Sequence, residues 1–355
     1  MSIDKLGILG SGLTFPDLDL NPVISAPEPT VKRPLLTRMD GSSHDWVLQI
    51  DNTTMSQFQT CPRSAQHYCI DRRQRPDRSP LIFGGAIHAA LEQHYKGNGI
   101  RAAVEAMAAY FEKHPVVQHD EWRTPSYAAQ ALKAYLQHWD LMDNLVPVSE
   151  EWVEKAFALN IGSFDIKSYL PYTYAQLSDE DDHEHMYVEK LHIQWTGKID
   201  VVTRSSDGVL FVCDHKTSSM GGPTFFADFE LAQQTHGYCW AVQKMMNERV
   251  GGFILNALLI RKPTKTGVGM EFDRKTYFYS QESMTEWHKD TLASVESFVH
   301  SLTAGFFPKY TAWCMGKYGK CQYHDVCILP TNQQKLMLST DQFSNVTWSP
   351  LLLNE

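Results

Sequence analysis

The middle of the chain alternates between apolar and polar residues, a pattern typical of half-buried β-strands. The segments "EEWVEKAFAL" and "LHIQWTGKIDVVTR" both show this alternation. The second is followed by "SSDG", which predicts a turn, and then by "VLFVCDHKTS". "GGFILNALLIRKP" and "KTYFYS" predict two more strands further along the chain. The pattern therefore predicts a β-meander that contains one tight hairpin.

Apolar residues at helical spacing dominate the segments around the meander. "TTMSQFQTCPRSAQHYCIDRR" predicts a helix that Pro62 interrupts or starts, and "FGGAIHAALEQHYKG" predicts a second helix. Periodic, Ala-rich stretches predict more helices between residues 100 and 145. "FFADFELAQQTHGYCWAVQKMM" predicts one helix between two strands, and "MTEWHKDTLASVESFVHSLTAG" predicts a last one with a glycine C-cap. This order of elements predicts a mixed α/β (α+β) fold.

The ends of the chain differ in composition from its middle. Residues 1–45 are rich in Pro, Gly and Ser and predict an N-terminal arm, and residues 331–355 predict a C-terminal tail. Residues 46–330 are expected to form a single domain with a helical insertion at about 100–147. The acidic segment "SDEDDHEHMY" predicts a solvated loop between two strands.

Composition excludes several classes of protein. With 43% hydrophobic and 21% charged residues, the chain has enough apolar side chains for a core and is not of a disordered type. No apolar run is long enough to span a bilayer, and the first residues lack the pattern of a signal peptide. The net charge of −9 disfavours a nonspecific nucleic-acid coat but not an enzyme with a local binding cleft. The chain has seven cysteines, an odd number, which makes a disulfide framework a poor explanation for them. We therefore expect an intracellular, cytoplasmic protein that does not contact a membrane. If the protein is viral, the expected location is the cytoplasm of the host cell.

The predicted hairpin brings charged residues together at the ends of apolar strands. Ile199 and Val201 are expected to share one face, which turns Asp200 to the other, and Asp214 and Lys216 share a face by the same period of two. A short turn would bring Asp200 opposite position 214 or 215. Two aspartates suit a hard cation such as Mg²⁺ or Mn²⁺, and a lysine beside them can orient or deprotonate an attacking water. The alternative is an ordinary cross-strand ion pair.

Four separated motifs make the sequence resemble the PD-(D/E)xK nucleases in their RecB-like form. They are "GGAIHAALE", "GKID", "DHK" and "QQTHGY", in that order along the chain. The resemblance implies a restriction-endonuclease-like core, in which a central mixed β-sheet is flanked by helices, followed here by a Cys-rich C-terminal segment. It also implies that the carboxylates and the lysine of the hairpin belong to a metal-dependent nuclease site.

The resemblance assigns a role to each matching residue. His88, Asp200 and Asp214 are the expected metal ligands, and Glu92, one turn after His88, is expected to assist from outside the ligand set. The backbone carbonyl of His215 is expected to add a further ligand, while its side chain is turned away. Lys216 is expected to activate water, and the catalytic set is completed by two residues that position it or the substrate, Gln234 and Tyr238.

One early and three late cysteines resemble the iron–sulfur subset of the same superfamily, the AddB- and Cas4-type nucleases. They are Cys61, Cys314, Cys321 and Cys327. The resemblance implies that they hold a [4Fe–4S] cluster, in the segment 314–327, that joins the two ends of the nuclease domain. The spacing departs from the usual pattern, because six residues rather than two separate the first two late cysteines. Four thiolates also suit Zn²⁺, which stays the alternative, and we expect a structural role in either case.

These observations lead to the prediction of a metal-dependent DNA nuclease, more specifically an exonuclease that acts at DNA ends in recombination, repair or replication. The alternatives are a structure-specific endonuclease or nickase, and a noncatalytic subunit that binds DNA ends. The expected partner is DNA, single-stranded or with free ends, and a helicase, recombination protein or replication protein is expected beside it. Candidates for contact with the DNA backbone are Arg63, Arg72, Arg73 and Arg75.

Overall fold

A seven-stranded mixed β-sheet forms the centre of the structure. The computed structural model describes residues 35–76, 79–114, 122–139, 143, 145–177, 185–265, 269–316 and 319–345. All of these residues belong to one compact unit, Val31–Glu355. The strands of the central sheet are β1 (Leu36–Arg38), β2 (Asp45–Asp51), β4 (Val153–Thr173), β5 (His185–Arg204), β6 (Leu210–Ser218), β7 (Val250–Ile260) and β8 (Met270–Phe278).

The long strand β5 organises the sheet because it pairs along both edges. Strand β4 runs antiparallel along one edge of β5. The opposite edge pairs first with β2, in parallel as far as Thr196, and then with β6, antiparallel from Val201 onward. From β6 the sheet continues to β7 in parallel and to β8 antiparallel. Strand β5 therefore changes partners on this edge between residues 196 and 201.

Helices cover both faces of the sheet, as the mixed α/β class predicts. One face carries α1 (Asn52–Thr60), α8 (Gln233–Met246) and α9 (Gln281–Ala304), and the other carries α3 (Ser79–Tyr95), α4 (Gly99–Lys113) and α5 (Pro125–Trp139). The remaining helices are the short segments α2 (Pro62–Ala65), α6 (Tyr174–Leu177), α7 (Pro223–Ala227), α10 (His324–Cys327) and α11 (Thr331–Leu338). Among the described helices, none is long and apolar enough to cross a membrane.

Both predicted terminal segments contain elements of the fold. Strand β1 begins at Leu36, inside the predicted N-terminal arm, and residues 1–34 lie outside the described residues. Within the predicted C-terminal tail, α11 packs Leu338 against Tyr323 and Val326. Strand β11 (Ser344–Asn345) then pairs with β3 (Arg73–Gln74). Residues 346–355 lie outside the described residues.

Two predicted helices are interrupted. The first ends at Thr60, restarts with Pro62 at the first position of α2, and continues as a π-helical turn over Gln66–Ile70. The segment predicted as one helix from "FFAD" onward divides into α7 and α8, separated by a turn at residues 228–232. The predicted glycine C-cap of α9 is confirmed, since Gly305 has the left-handed backbone that favours glycine. Most of the acidic loop, residues 178–184, lies outside the described residues.

Candidate metal centre and active site

Helix α3 brings His88 to the sheet because a glycine one turn earlier permits close packing. A Cβ atom at Gly84 would lie 2.7 Å from Oγ1 of Thr217 on β6, so a larger residue would push the helix outward. With glycine there, the Nδ1 atom of His88 reaches to 3.4 Å from the Oδ2 atom of Asp200. The spacing of the "G-x-x-x-H" motif thus has a structural reason in this chain.

Asp200 lies where β5 changes partners, so its carboxylate is not enclosed by a regular strand pair on that edge. Its Oδ2 atom accepts a hydrogen bond of 2.7 Å from the backbone N–H of His215. The β5–β6 ladder ends at the pair Val201–Cys213, so Asp200 and Asp214 are the next residues of the two strands. The two aspartates therefore lie side by side on neighbouring strands.

The predicted face of Asp200 needs correction. Ile199 packs in the core beneath α8 and α9, whereas Val201 packs in the core beneath α3 to α5. The two residues therefore do not share a face, and β5 changes face at Asp200. On the facing strand β4, Glu154 has a φ angle of +56° between two regular pairs of the ladder. Asp200 consequently lies at the boundary between the two cores.

Lys216 and Asp214 share one face of β6, as the period of two predicted. The Nζ atom of Lys216 lies 2.6 Å from the Oδ2 atom of Asp214. The Nε2 atom of Gln234 lies 3.3 Å from the other oxygen of the same carboxylate, and Gln234 also hydrogen-bonds the Tyr238 hydroxyl. Tyr238 fits because a Cβ atom at Gly197 would lie 2.9 Å from its ring. Helix α8 thus fixes Asp214 through two residues one turn apart.

Glu154 is the site residue that sequence reasoning missed. The pairs Val153–Val201 and Lys155–Ile199 place it across from Asp200 on the other edge of β5. Its carboxylate, a carboxylate oxygen of Asp200 and a ring nitrogen of His88 all lie within 4.8 Å of one another. The "EEWVEKAFAL" segment carries no motif that marks this residue. Its only signal is that its strand pairs with the "GKID" strand.

The carboxylates of Glu154 and Asp214, which lie on either side of Asp200, each have a lysine beside them. Glu154 is ion-paired to Lys198 of β5, as Asp214 is to Lys216. Burial opposes the charge on both lysines, but the carboxylates outweigh it and raise the pKa of each above its ordinary value. Both lysines are therefore ammonium ions near neutral pH. Glu92 is not among the grouped ligands; it pairs with Lys96 at 2.7 Å.

The carboxylates perturb one another strongly. Burial raises the pKa of Asp214 to about 6, and Asp200 adds to the effect. Burial and Asp200 likewise raise the pKa of Glu154 to about 8. Burial opposes ionisation of Asp200 too, but His88, His215 and the surrounding donors lower its pKa below the usual value. The carboxylates of the site thus carry more negative charge than the neighbouring lysines compensate. Carboxylate and imidazole groups arranged in this way suit a divalent metal ion.

His215 contributes its backbone to the site and its side chain to the core. Its ring stacks on Tyr95 at a centroid distance of 5.2 Å, and its Nδ1 atom lies 2.7 Å from the side-chain nitrogen of Asn256. Burial lowers the pKa of this imidazole to about 3, so it is neutral. The backbone N–H binds Asp200, whereas metal binding by the backbone carbonyl stays a prediction.

A buried polar network lies behind His215, and no sequence motif marks it. Its centre is Arg274, whose side chain is 9% exposed and whose NH1 atom lies 2.7 Å from Asp143. The same guanidinium donates to the hydroxyls of Tyr95 and Tyr135 and to the side-chain oxygen of Asn256. The network therefore joins α3, α5, β7 and β8 directly behind the candidate metal centre.

Two of the arginines proposed to contact DNA are engaged within the protein. Arg63 donates to the carbonyl of Phe307 at 2.9 Å, and Arg75 pairs with Asp325 at 3.1 Å. Arg73 lies in strand β3. These contacts attach the segment that contains α2 and β3 to the C-terminal segment. Contact with DNA by Arg63, Arg72, Arg73 and Arg75 stays a prediction.

The four cysteines predicted to hold a cluster lie in one region but are not tightly grouped. All four are half-buried, and among the described residues no three of their sulfur atoms lie within 4.8 Å of one another. Burial raises the pKa of Cys321, and Cys61 and Cys314 add to the effect. Burial likewise raises the pKa of Cys327, where Cys61 and Cys321 contribute. A single tetrahedral zinc ion needs Zn–S distances of about 2.3 Å. The sulfur atoms of the four cysteines are too far from one another in this structure to bind one such ion together.

A comparison with known protein families identifies the superfamily of this chain. The sequence profile of the PD-(D/E)XK nuclease superfamily matches residues 52–328. A crystal structure from Eubacterium rectale, of a protein designated a candidate exonuclease, is similar over 74% of this chain and 84% of that chain, with 9% identity and a TM-score of 0.44. The structure titled SSO0001 is similar over 69% and 75%, with 11% identity and a TM-score of 0.22. Neither similarity bears on activity, and no curated protein matches by sequence. The profile covers most of the chain, including all four nuclease motifs, and the chain therefore belongs to the PD-(D/E)XK nuclease superfamily.

Proposed function

We propose that this chain is a divalent-metal-dependent DNA nuclease that hydrolyses phosphodiester bonds at DNA ends. The observation that carries the proposal is one arrangement of side chains at the point where β5 changes partners. Three carboxylates, those of Glu154, Asp200 and Asp214, come from the adjacent strands β4, β5 and β6, with the His88 imidazole and the Lys216 ammonium beside them. These are the groups that metal-assisted phosphodiester hydrolysis requires.

The donor set fits Mg²⁺ or Mn²⁺ better than a softer metal. Carboxylate oxygens predominate among the donors, and a divalent cation would offset both the burial and the repulsion from Asp200 that raise the pKa of Glu154 and Asp214. In the proposed enzyme His88, Glu154 and Asp200 hold the cation, with Asp214 as a further ligand. When bound, the cation would neutralise negative charge on the phosphate and lower the pKa of a water molecule that it coordinates.

The remaining residues are assigned to orientation and charge stabilisation. The Lys216 ammonium donates hydrogen bonds to the attacking water and to the phosphate oxygen on which negative charge develops. Gln234 holds the carboxylate of Asp214 in place, and Tyr238 in turn holds Gln234. Because these groups are already positioned by the sheet and α8, little reorganisation is needed when substrate binds.

Removal of the Lys216 ammonium tests the catalytic assignment. Lys216→Ala is expected to lower the rate of DNA cleavage by about 10²–10⁴-fold, as the loss of a positioned catalytic group does. The matched control is Lys275→Ala, which removes an exposed lysine paired with Glu230. Equal cleavage by Lys216→Ala and wild type would favour the alternative of a noncatalytic subunit that binds DNA ends.

The preference for ends is tested with substrate topology. Linear DNA with free ends, linear DNA with blocked ends and circular DNA are compared in the presence of Mn²⁺. An exonuclease degrades only the first, whereas nicking of the circle at a similar rate would identify an endonuclease or nickase. We place the activity in intracellular DNA recombination, repair or replication, beside a helicase or another DNA-processing protein, as the RecB-like motifs suggest.

We also propose that the cysteine region holds a cofactor, a [4Fe–4S] cluster with Zn²⁺ as the alternative. A backbone N–H group supports this, because that of Tyr310 donates to the Cys61 sulfur at 3.4 Å. A cluster with several irons binds thiolates that are farther apart than those around one ion. Iron, sulfide and zinc analysis after anaerobic purification tests the proposal. Cys321→Ser is expected to lower the melting temperature if the cofactor is structural.

A further inference from the structure

Large apolar side chains are exposed in the segment that follows α9, here called the aromatic segment (residues 306–315). They are Phe306, which is 62% exposed, Tyr310 (46%), Trp313 (58%) and Met315 (68%). Apolar patches on a protein surface often mark the place where a partner binds. No role described above uses these side chains.

A short turn presents two of the aromatic rings together. Thr311–Trp313 form a 3₁₀ helix with Tyr310 as its N-cap, and the backbone N–H of Trp313 donates to the carbonyl of Tyr310 at 3.2 Å. Such a turn has about three residues, so side chains three positions apart lie on the same side of it. The spacing therefore places Tyr310 and Trp313 on one side of the turn, where both are exposed.

The aromatic segment is anchored to the rest of the domain on its other side. The backbone N–H of Arg63 donates to the carbonyl of Pro308 at 3.0 Å, and its side chain donates to the carbonyl of Phe307 at 2.9 Å. Phe307 is fully buried and packs edge-on against Phe58 and Phe298. The segment thus has one side fixed in the core and another that faces solvent.

The same region carries an excess of positive charge. Residues 297–324 contain three lysines and no aspartate or glutamate, although the whole chain has a net charge of −9. Lys309 donates to a neutral backbone carbonyl at 2.6 Å, and an ammonium has further donors to offer a phosphate. Lys320 and Arg75 share the single carboxylate of Asp325. An anionic partner would therefore be attracted to this surface.

Exposed rings beside cations fit a single strand of DNA. Bases stack on aromatic side chains whatever their sequence, and lysines or arginines bind the phosphates between them. In a duplex the faces of the bases are covered by their neighbours, so rings of this kind favour unpaired DNA. Another protein would also cover apolar side chains, but it gives no reason for the excess of positive charge.

The position of the aromatic segment suits a strand that also reaches the metal centre. Asp51 pairs with Thr196 of β5, four residues before Asp200, and is the N-cap of α1. Helix α1 has nine residues and spans about 13 Å. It ends beside Cys61, whose sulfur accepts the hydrogen bond from Tyr310. At about 3.4 Å per nucleotide, this length corresponds to about four nucleotides of one strand.

We propose that the aromatic segment binds single-stranded DNA at a surface separate from the metal centre, where Tyr310 and Trp313 stack on bases and Lys309 binds a phosphate. The inference rests on the proposed DNA substrate and does not depend on a cofactor at the cysteines. It predicts that duplexes with unpaired ends longer than about four nucleotides bind more tightly than blunt duplexes.

Binding is tested with full-length protein and labelled oligo(dT) in EDTA, where fluorescence anisotropy is measured without cleavage. Trp313→Ala is expected to weaken binding by about 5–150-fold, the effect of losing one stacked base. Tyr310→Ala is expected to act in the same direction. Trp313→Phe is expected to keep most of the affinity because it keeps a ring, whereas Trp313→Leu is expected to lose it. The control is Phe278→Ala, which removes a ring that is 76% exposed at the end of β8.

The role of Lys309 is tested by the dependence of binding on salt. Lys309→Gln is expected to lower the slope of log affinity against log salt by about 0.7, the value for one contact with a single strand. Lys275→Gln changes the net charge equally at an exposed position paired with Glu230, and it is expected to leave the slope unchanged. Melting temperature and metal content are measured for every variant, so that a loss of fold is not taken for a loss of contact.

Unchanged affinity for oligo(dT) in Trp313→Ala and Tyr310→Ala would overturn the inference. Loss of self-association in these variants with DNA binding intact would also overturn it, because that result would identify a protein interface. Preference of the wild type for blunt duplex over oligo(dT) would contradict stacking on unpaired bases.

Cleavage separates this inference from the proposed function. At saturating DNA Trp313→Ala is expected to cleave at the wild-type rate with a raised KM, because Trp313 lies outside the metal centre. Lys216→Ala is expected to bind oligo(dT) without cleaving DNA. Wild-type protein that binds oligo(dT) through Trp313 but cleaves no DNA would contradict only the proposed function. Cleavage with the same KM in wild type and Trp313→Ala would contradict only this inference.

Discussion

Asp200 receives donors and positive charge from two neighbouring elements, and this explains why it stays ionised in a buried position. His88 approaches from α3 and the His215 N–H donates from β6, whereas the carboxylate of Glu154 lies across β5 on β4 and opposes the charge. Burial alone would raise its pKa, but the neighbouring donors and positive charges reverse the effect. At Asp214 burial and the charge of Asp200 outweigh the opposing effect of Lys216, and the pKa is raised. The two aspartates of the motif are therefore electrostatically unequal.

Glu154 provides a test at the level of one residue. Glu154→Gln removes one negative charge from the grouped ligands, so the affinity for Mn²⁺ is expected to fall by about tenfold or more, a change of at least about 1.4 kcal/mol in binding free energy. Calorimetric titration with Mn²⁺ measures this directly. Glu151→Gln, at an exposed position three residues earlier, is the control. Equal Mn²⁺ affinity in both variants would remove Glu154 from the ligand set.

At the level of elements, the contact between α3 and β6 decides whether the metal centre can form. His88 is the only part of α3 assigned to the metal, yet its position depends on how closely the whole helix packs on the sheet. That distance is set by Gly84 against Thr217, four residues before His88 and one residue after Lys216. Gly84 of the "G-x-x-x-H" motif therefore packs directly against β6, the strand that carries Lys216.

A double-mutant cycle tests this contact. Gly84→Ala is expected to lower the free energy of unfolding by about 1–3 kcal/mol, because the new methyl group would meet Thr217 Oγ1 at 2.7 Å. Thr217→Ala in the same chain removes that oxygen and leaves the Cβ atom at 4.0 Å, so stability and cleavage are expected to recover. Urea unfolding and the cleavage rate are the measurements. Purely additive effects of the two substitutions would contradict the proposed contact.

For the molecule as a whole, the candidate site lies between two cores that are joined by polar contacts. The Arg274 network ties α3, α5, β7 and β8 together behind the site, and its guanidinium also packs 3.9 Å from the Trp139 ring. On the other side, α8 contacts Asp214 through Gln234. The geometry of the site is therefore a property of the packed domain rather than of one motif.

The network makes a prediction about stability. Arg274→Met leaves the carboxylate of Asp143 and several buried polar atoms without their partner, so the free energy of unfolding is expected to fall by about 3–5 kcal/mol. Arg204→Met is the control, since Arg204 pairs with Glu248 at the exposed end of β5 and its loss is expected to change little. Chemical denaturation of both variants measures the difference. Similar small losses would show that the network is not a major source of stability.

Metal binding is expected to stabilise the entire domain, because the ligands come from separate elements. At Mn²⁺ concentrations about 100 times the dissociation constant, linkage predicts about 2.7 kcal/mol of added stability, seen as a higher melting temperature that EDTA reverses. Asp200→Asn is expected to abolish the shift, while Asp207→Asn in the exposed hairpin turn is expected to keep it. An Mn²⁺-dependent shift that survives in Asp200→Asn would place the bound ion elsewhere.

The sequence by itself determined the parts of the site that short-range geometry controls. The turn "SSDG" fixes the register of its hairpin, so Asp200, Asp214 and Lys216 were brought together correctly, and the "G-x-x-x-H" and "Q-x-x-x-Y" spacings each lie on one helix. Only the tertiary structure decided the rest. Glu154 reaches the site through the long β4–β5 ladder, and the packing of Ile199 and Val201 in different cores shows that β5 changes face at Asp200. Arg274 and Arg63 meet their partners across helices and strands remote in sequence, where neither period nor motif limits the choice of neighbours.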